Sequence, residues 1–204
     1  MTMTCEQNDA VRELVNIGVG RASASLNELL ECSVTLSVPR VTLVEPAQLH
    51  EYLGSEPNEV LAGVQMGFAG TFAGSAELVF PPRSAKQLIS LLVGEEGAES
   101  SVDERDALWI GTLTEVGNIL LNGVLGAISN TLESPLTYDI PSYVEANLHD
   151  LVCMGPSAAE SALFAQTRFS VEELSVHGDV IILFESQSFR EVLERLDGMW
   201  CGLD

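Results

Sequence analysis

Apolar residues recur at spacings of three and four along two long stretches, residues 8–31 and 103–133. In the first, Val11, Val15, Gly18, Ala22, Leu26 and Leu29 form one stripe; in the second it runs through Leu113, Val116, Leu120 and Val124. That period predicts two amphipathic helices, each burying one face. Strand-like segments follow at 33–38 and 135–140, closed by Pro39 and Pro141, which cannot continue a central ladder. Further strands are predicted over 60–68, over 68–74 with 75–80, and over 161–169 with 179–184. Short turns at Ala73-Gly74 and His177-Gly178 would join the last two pairs. A short polar helix is expected at 46–54 within an irregular stretch that runs from 43 to 68 and has 147–156 as its equivalent in the second half, and helices over 83–92 and 188–197 close the pattern.

The chain repeats itself. Glu13, Asn16 and Ile17 recur as Glu115, Asn118 and Ile119, an offset of 102 residues. The same offset carries residues 34–39 onto 136–141. Toward the ends of the halves the offset is 104, so that Ser84 and Leu88 match Ser188 and Val192. Three matching segments in one order imply a duplication. We read residues 1–204 as a single domain of two repeats, about 8–93 and 103–198, joined by a Gly-, Glu- and Ser-rich segment at 94–101. The strands of each half are few, so the halves should share one sheet. The expected fold class is α+β, with a mostly antiparallel sheet carrying the two long repeated helices.

Composition sharpens this picture. An apolar fraction of 46% supports a packed core rather than disorder, and the length of 204 residues can bury one. No apolar run approaches the roughly 20 residues of a membrane span, and no export leader is visible at the start, so membrane insertion is not expected. Cys5, Cys32, Cys153 and Cys201 are scattered with no CxxC pair, and read as reduced, small buried hydrophobes in a cytoplasmic protein. The formal charge is −21, with Lys86 the single lysine. Such a field repels nucleic acid and anionic membranes. It suits either a solubilising surface or a salt-rich cytoplasm, which screens self-repulsion.

Chemistry enters on the polar faces of the long helices. Asp9, Glu13, Asn16 and Gly20 follow spacings of four, three and four, away from the apolar stripe. Gly111, Glu115, Asn118 and Asn122 hold the same register in the second helix. Glu is an ordinary surface residue, but Asn costs several tenths of a kcal/mol relative to Ala in a helix, and Gly up to ~1 kcal/mol. A neutral amide can orient a water by both donating and accepting, and a Glu one turn earlier can pair with a cation. Gly18, Gly20 and Gly117 would keep the helix surface low enough for another protein to approach closely.

The motif Glu13-x-x-Asn16, repeated as Glu115-x-x-Asn118 at the start of long helices in a duplicated chain of this length, resembles the CheC/CheX/FliY family of chemotaxis phosphatases. Two copies resemble the CheC type most, since CheX keeps one. The resemblance implies hydrolysis of the aspartyl phosphate on a CheY-type response regulator. Glu13 and Glu115 would contact the receiver's lysine, and Asn16 and Asn118 would place the attacking water. The Mg²⁺ would belong to the receiver, leaving this chain without a cofactor of its own. CheD is implied as a further partner. The family motif has Asp or Ser four residues before the Glu; Asp9 fits, whereas Gly111 does not.

Two other readings use the same helices: a non-catalytic adaptor that binds CheD or a receiver domain, and a structural piece of the flagellar switch. No GxSxG, P-loop or HExxH occurs. His50, His149 and His177 read as loop or capping residues without metal-ligand spacing. Gly18-Val19-Gly20 lies inside a helix, so it is no dinucleotide fingerprint. Trp109 and Trp200 are expected in the core or an interface.

Overall fold

Thr4 and Gln7 start the first helix together. Gln7 N donates to Thr4 Oγ1 (3.1 Å) and Thr4 N donates to Gln7 Oε1 (2.9 Å), a reciprocal capping box that places the start earlier than the apolar period did. The structure, a computed structural model, describes residues 3–30, 33–54, 56, 59–93, 102–154, 161–171, 174–185 and 187–200. The expected connection at 94–101 lies outside them.

The first half contains α1 (Cys5–Leu30), β1 (Val34–Val44), a 3-10 turn (Pro46–Gln48), α2 (Leu49–Leu53), β2 (Val60–Gly70), β3 (Gly74–Phe80) and α3 (Pro82–Val93). The second contains α4 (Val102–Thr131), β4 (Leu136–Tyr138), β5 (Ser142–Asn147), α5 (Leu148–Met154), β6 (Ser161–Val171), β7 (Leu174–Phe184) and α6 (Ser188–Trp200). The strands form one antiparallel sheet in the order β1-β6-β7-β3-β2-β4, with β5 also paired to β2. The halves interleave. The second half's β6 pairs with β1, and the first half's β2 pairs with β4 and β5, so each hairpin needs a strand of the other half.

The two prolines act differently from expectation. Pro39 does not end β1; the strand continues to Val44 past a register shift between Ser37 and Arg40. Pro141 separates β4 from β5, which was not foreseen as a strand. Both lie at sheet edges, where a missing N–H can sit on the unpaired side or in a bulge. The turns also move. Residues 60–70 form one strand, so the first hairpin turns at 71–73 rather than at Ala73-Gly74. His177 and Gly178 lie inside β7, where a Cβ on Gly178 would come within 2.4 Å of the Phe80 ring. That glycine makes room for an aromatic neighbour instead of a turn.

Helices α1, α3, α4 and α6 share one sheet face. Val15, Leu26, Leu78, Leu88, Leu120, Val124, Ile182 and Leu193 meet in that core. The short α2 and α5 cover part of the other face, with Leu49 and Leu151 packed over Val79, Phe164 and Ile181. Segment Asp106–Thr131 of α4 is, by length and composition, apolar enough to cross a membrane, which the sequence reading did not anticipate. Here Leu113, Leu120, Leu121 and Val124 of that segment are fully buried core residues.

Candidate functional site

The α1–α4 crossing sets the geometry of the candidate site. A Cβ on Gly18 would lie 2.5 Å from Val124 Cα, and one on Gly123 would lie 2.7 Å from the Gly18 carbonyl oxygen. The backbones therefore touch. Gly117 is likewise a packing residue, since its Cβ would meet Val64 at 2.5 Å. Gly18 and Gly117 thus serve the protein's own core, not a visitor. Gly20 and Gly111 do have open space around them.

Both helices turn their polar ridges away from the sheet. On α1, Val11, Leu14, Val15 and Val19 are at most 5% exposed, while Asp9 and Glu13 are exposed and Asn16 is half-buried at the surface. On α4, Leu113, Val116 and Leu120 are buried, Gly111 and Glu115 are exposed, and Asn118 is half-buried. Each Glu and its Asn are one turn apart on the outer face. The structure brings each pair together as expected.

The surroundings of the two pairs differ. Asp9 accepts an ion pair from Arg12 at 2.9 Å, with both side chains more than half exposed. Ile17, beside Asn16, is 38% exposed, whereas Ile119 packs against the core. Among the described residues no such ion pair lies near Glu115, and Thr114 donates to the Ile110 carbonyl at 2.7 Å. Asn122 donates its amide to Asn118, a contact that the register of the sequence contained but did not disclose. Neighbouring elements hold α1: Gln7 Nε2 donates to Asp197 of α6 at 2.9 and 3.1 Å, and Ser23 Oγ donates to the Val34 carbonyl of β1 at 2.7 Å.

Two titratable groups outside the ridges escaped the sequence reading. Glu77 on β3 is 1% exposed, and burial pushes its carboxyl up to about 7 against opposing hydrogen bonds from Ser75 and Gln65. Ser75 Oγ (2.9 Å) and Gln65 Nε2 (3.0 Å) both donate to Oε1, leaving buried Oε2 unpaired. Asp179 on β7, 7% exposed, is also raised to about 7 by burial. Strand alternation puts Glu77 on the sheet face opposite α1 and α4, so it cannot reach the ridges. An acidic residue inside an apolar strand was the available signal.

A separate cleft of about 300 Å³ lies between the start of α4 and β5, lined by Asp106, Trp109, Ile110, Tyr143 and Glu145. Within it Tyr143 Oη donates to Glu145 at 2.5 Å, and burial raises the phenol's pKa. Trp109 is half-buried, as its expected core role allows; the side chain of Trp200 is not described. His50, His149 and His177 sit in α2, α5 and β7 rather than loops, and all are exposed. Cys5 is exposed, contrary to expectation, because it falls on the solvent side of the first turn of α1. Cys32 and Cys201 lie outside the described residues, as does the side chain of Cys153. Among the described residues no group of three His, Cys, Asp or Glu is placed to hold a metal ion.

Comparison with known proteins bears on the same ridges. The CheC-like family profile matches residues 6–43, which include Glu13 and Asn16. The CheY-P phosphatase CheC of Bacillus subtilis is 25% identical over 94% of both chains. Among solved structures, Thermotoga maritima FliY superposes with a TM-score of 0.75 at 18% identity, covering 97% of this chain and 99% of the other. CheX in its complex with CheY, BeF3 and Mg²⁺ from Borrelia burgdorferi superposes at 0.54 and 20% identity, covering 86% and 99%. Motif, sequence relatives and fold agree in one direction: over its full length this chain is similar to CheC-type chemotaxis phosphatases, and it shares the fold of FliY and CheX.

Proposed function

We propose that the protein hydrolyses the aspartyl phosphate of a CheY-type response regulator, each ridge lending one carboxylate and one amide to the docked receiver. The observation that carries this reading is the outward placement of both Glu/Asn pairs above a buried helix–sheet core. Glu13 and Glu115 face solvent and pair with a cationic group of the receiver. Asn16 and Asn118 hold the water. Its oxygen bonds to phosphorus while the bond from phosphorus to the aspartyl oxygen breaks. The receiver's carboxylate leaves with the electron pair, and the water's proton passes to the phosphate released. Mg²⁺ sits with the receiver and screens the charge.

Such a reaction asks mainly for positioning and charge stabilisation, which exposed helical side chains can supply once a partner closes over them. The acidic surface steers a receiver with basic character toward the ridges. The test is phosphate release from the host's own phosphorylated receiver. Wild type should accelerate it, and Asn16→Ala with Asn118→Ala should return it to the receiver's spontaneous rate without loss of helical circular dichroism. Unchanged turnover in the double variant removes the catalytic claim.

The adaptor reading makes the opposite forecast: wild type binds a receiver or CheD without accelerating hydrolysis. An adaptor role beside catalysis would appear as a change of rate on adding CheD, and absence of a complex in sedimentation would exclude it.

A further inference from the structure

Asn122 lies one turn beyond Asn118 on α4, and its side-chain nitrogen donates twice, to the Asn118 backbone carbonyl at 2.9 Å and to Asn118 Oδ1 at 2.6 Å. An amide side chain is ordinarily ambiguous as to which end is nitrogen. The backbone removes that ambiguity here. A peptide carbonyl can only accept, so the NH₂ end of Asn122 must face it. The other hydrogen of that NH₂ then requires an acceptor, which turns Asn118 Oδ1 inward and Nδ2 outward.

We infer that Asn122 is a positioning residue that presets Asn118 as a hydrogen-bond donor toward the attacking water. The inference rests on the hydrolytic reading above. Donation from Asn118 Nδ2 occupies one lone pair of the water and leaves the other free to aim at phosphorus. Holding the amide in that orientation before docking removes part of the ordering cost at the moment of reaction. The α1 site lacks the device. Gly20 holds the register of Asn122 with nothing within 4 Å of its Cβ position, and Asn16 has no side-chain partner among the described residues. The second ridge, although it departs from the family pattern at Gly111, is the preset one.

The test uses the full-length protein carrying Asn16→Ala, so that α4 alone acts, with phosphate release from the phosphorylated receiver. Adding Asn122→Ala should lower kcat about three- to tenfold with KM for the receiver unchanged. Asn122→Asp should be worse than Asn122→Ala, because a carboxylate only accepts and turns the Asn118 amide around. Conversely, Gly20→Asn in an Asn118→Ala background should raise kcat by a comparable factor. An unchanged kcat for Asn122→Ala while Asn118→Ala abolishes activity overturns the positioning role alone. A change confined to KM also overturns it, in favour of docking. Loss of neither amide mattering overturns the hydrolytic reading itself, a distinct result.

Discussion

The two ridges carry the same Glu/Asn pair on the same kind of helix, yet they are finished differently. On α1 the motif acid Asp9 is held by Arg12, and the amide of Asn16 has no side-chain partner among the described residues. On α4 the acid is replaced by Gly111 and the amide of Asn118 is held by Asn122. The first ridge pairs its charge and leaves its amide without a side-chain partner among the described residues; the second does the reverse. Matching a motif therefore says which groups are offered, while the residues a turn away decide how rigidly.

The largest way to break this comparison is to remove the packing that holds both ridges. Gly18→Ala places a methyl group against backbone atoms of α4 and should cost about 2 kcal/mol, read as a lower midpoint in chemical denaturation. Gly20→Ala, two residues on, meets nothing and should gain up to ~1 kcal/mol from helix propensity. If both variants behaved alike, the close crossing of α1 and α4 would be wrong.

A contrast of similar size separates the ridges from the far sheet face. Glu77 and Asp179 titrate near 7 when folded but in the ordinary carboxylate range when unfolded. Between those values the unfolded chain binds fewer protons, so the contribution of these two groups to stability is greatest at acid pH and falls as pH rises from about 4.5 to about 7. Glu77→Gln should flatten part of that slope and stabilise the protein at pH 8 by about 2 kcal/mol, measured by denaturation across pH. The ridge variants should leave the slope in place.

Single amide removals sharpen the comparison directly. Asn118→Ala should take the larger share of phosphate release and Asn16→Ala the smaller, by several-fold, because only Asn118 is oriented beforehand. Equal losses would mean the receiver orders both amides itself. The smallest effect belongs to Asp9→Ala, which removes an exposed ion pair and should change stability by no more than ~0.5 kcal/mol, vanishing in high salt.

Much of the candidate site was legible because helical periodicity places residues on faces without reference to anything distant. Glu13, Asn16, Glu115 and Asn118 fall on the outer side since Val11, Val15, Val116 and Leu120 need the inner one. The short connections between strand-like segments likewise announced a mostly antiparallel sheet. Glycines that serve a remote neighbour were not legible: Gly178, expected in a turn, and Gly18, expected to admit a partner, carry no local sign of Phe80 or of Val124. Local pattern and composition thus determined the helices, their polar ridges and the acid–amide pairs. Only the assembled structure decided that β1 completes the other half's hairpin, that Asn122 donates to Asn118, and that Glu77 is shut off from solvent. Those outcomes depend on contacts made after folding, between groups whose positions no single segment specifies.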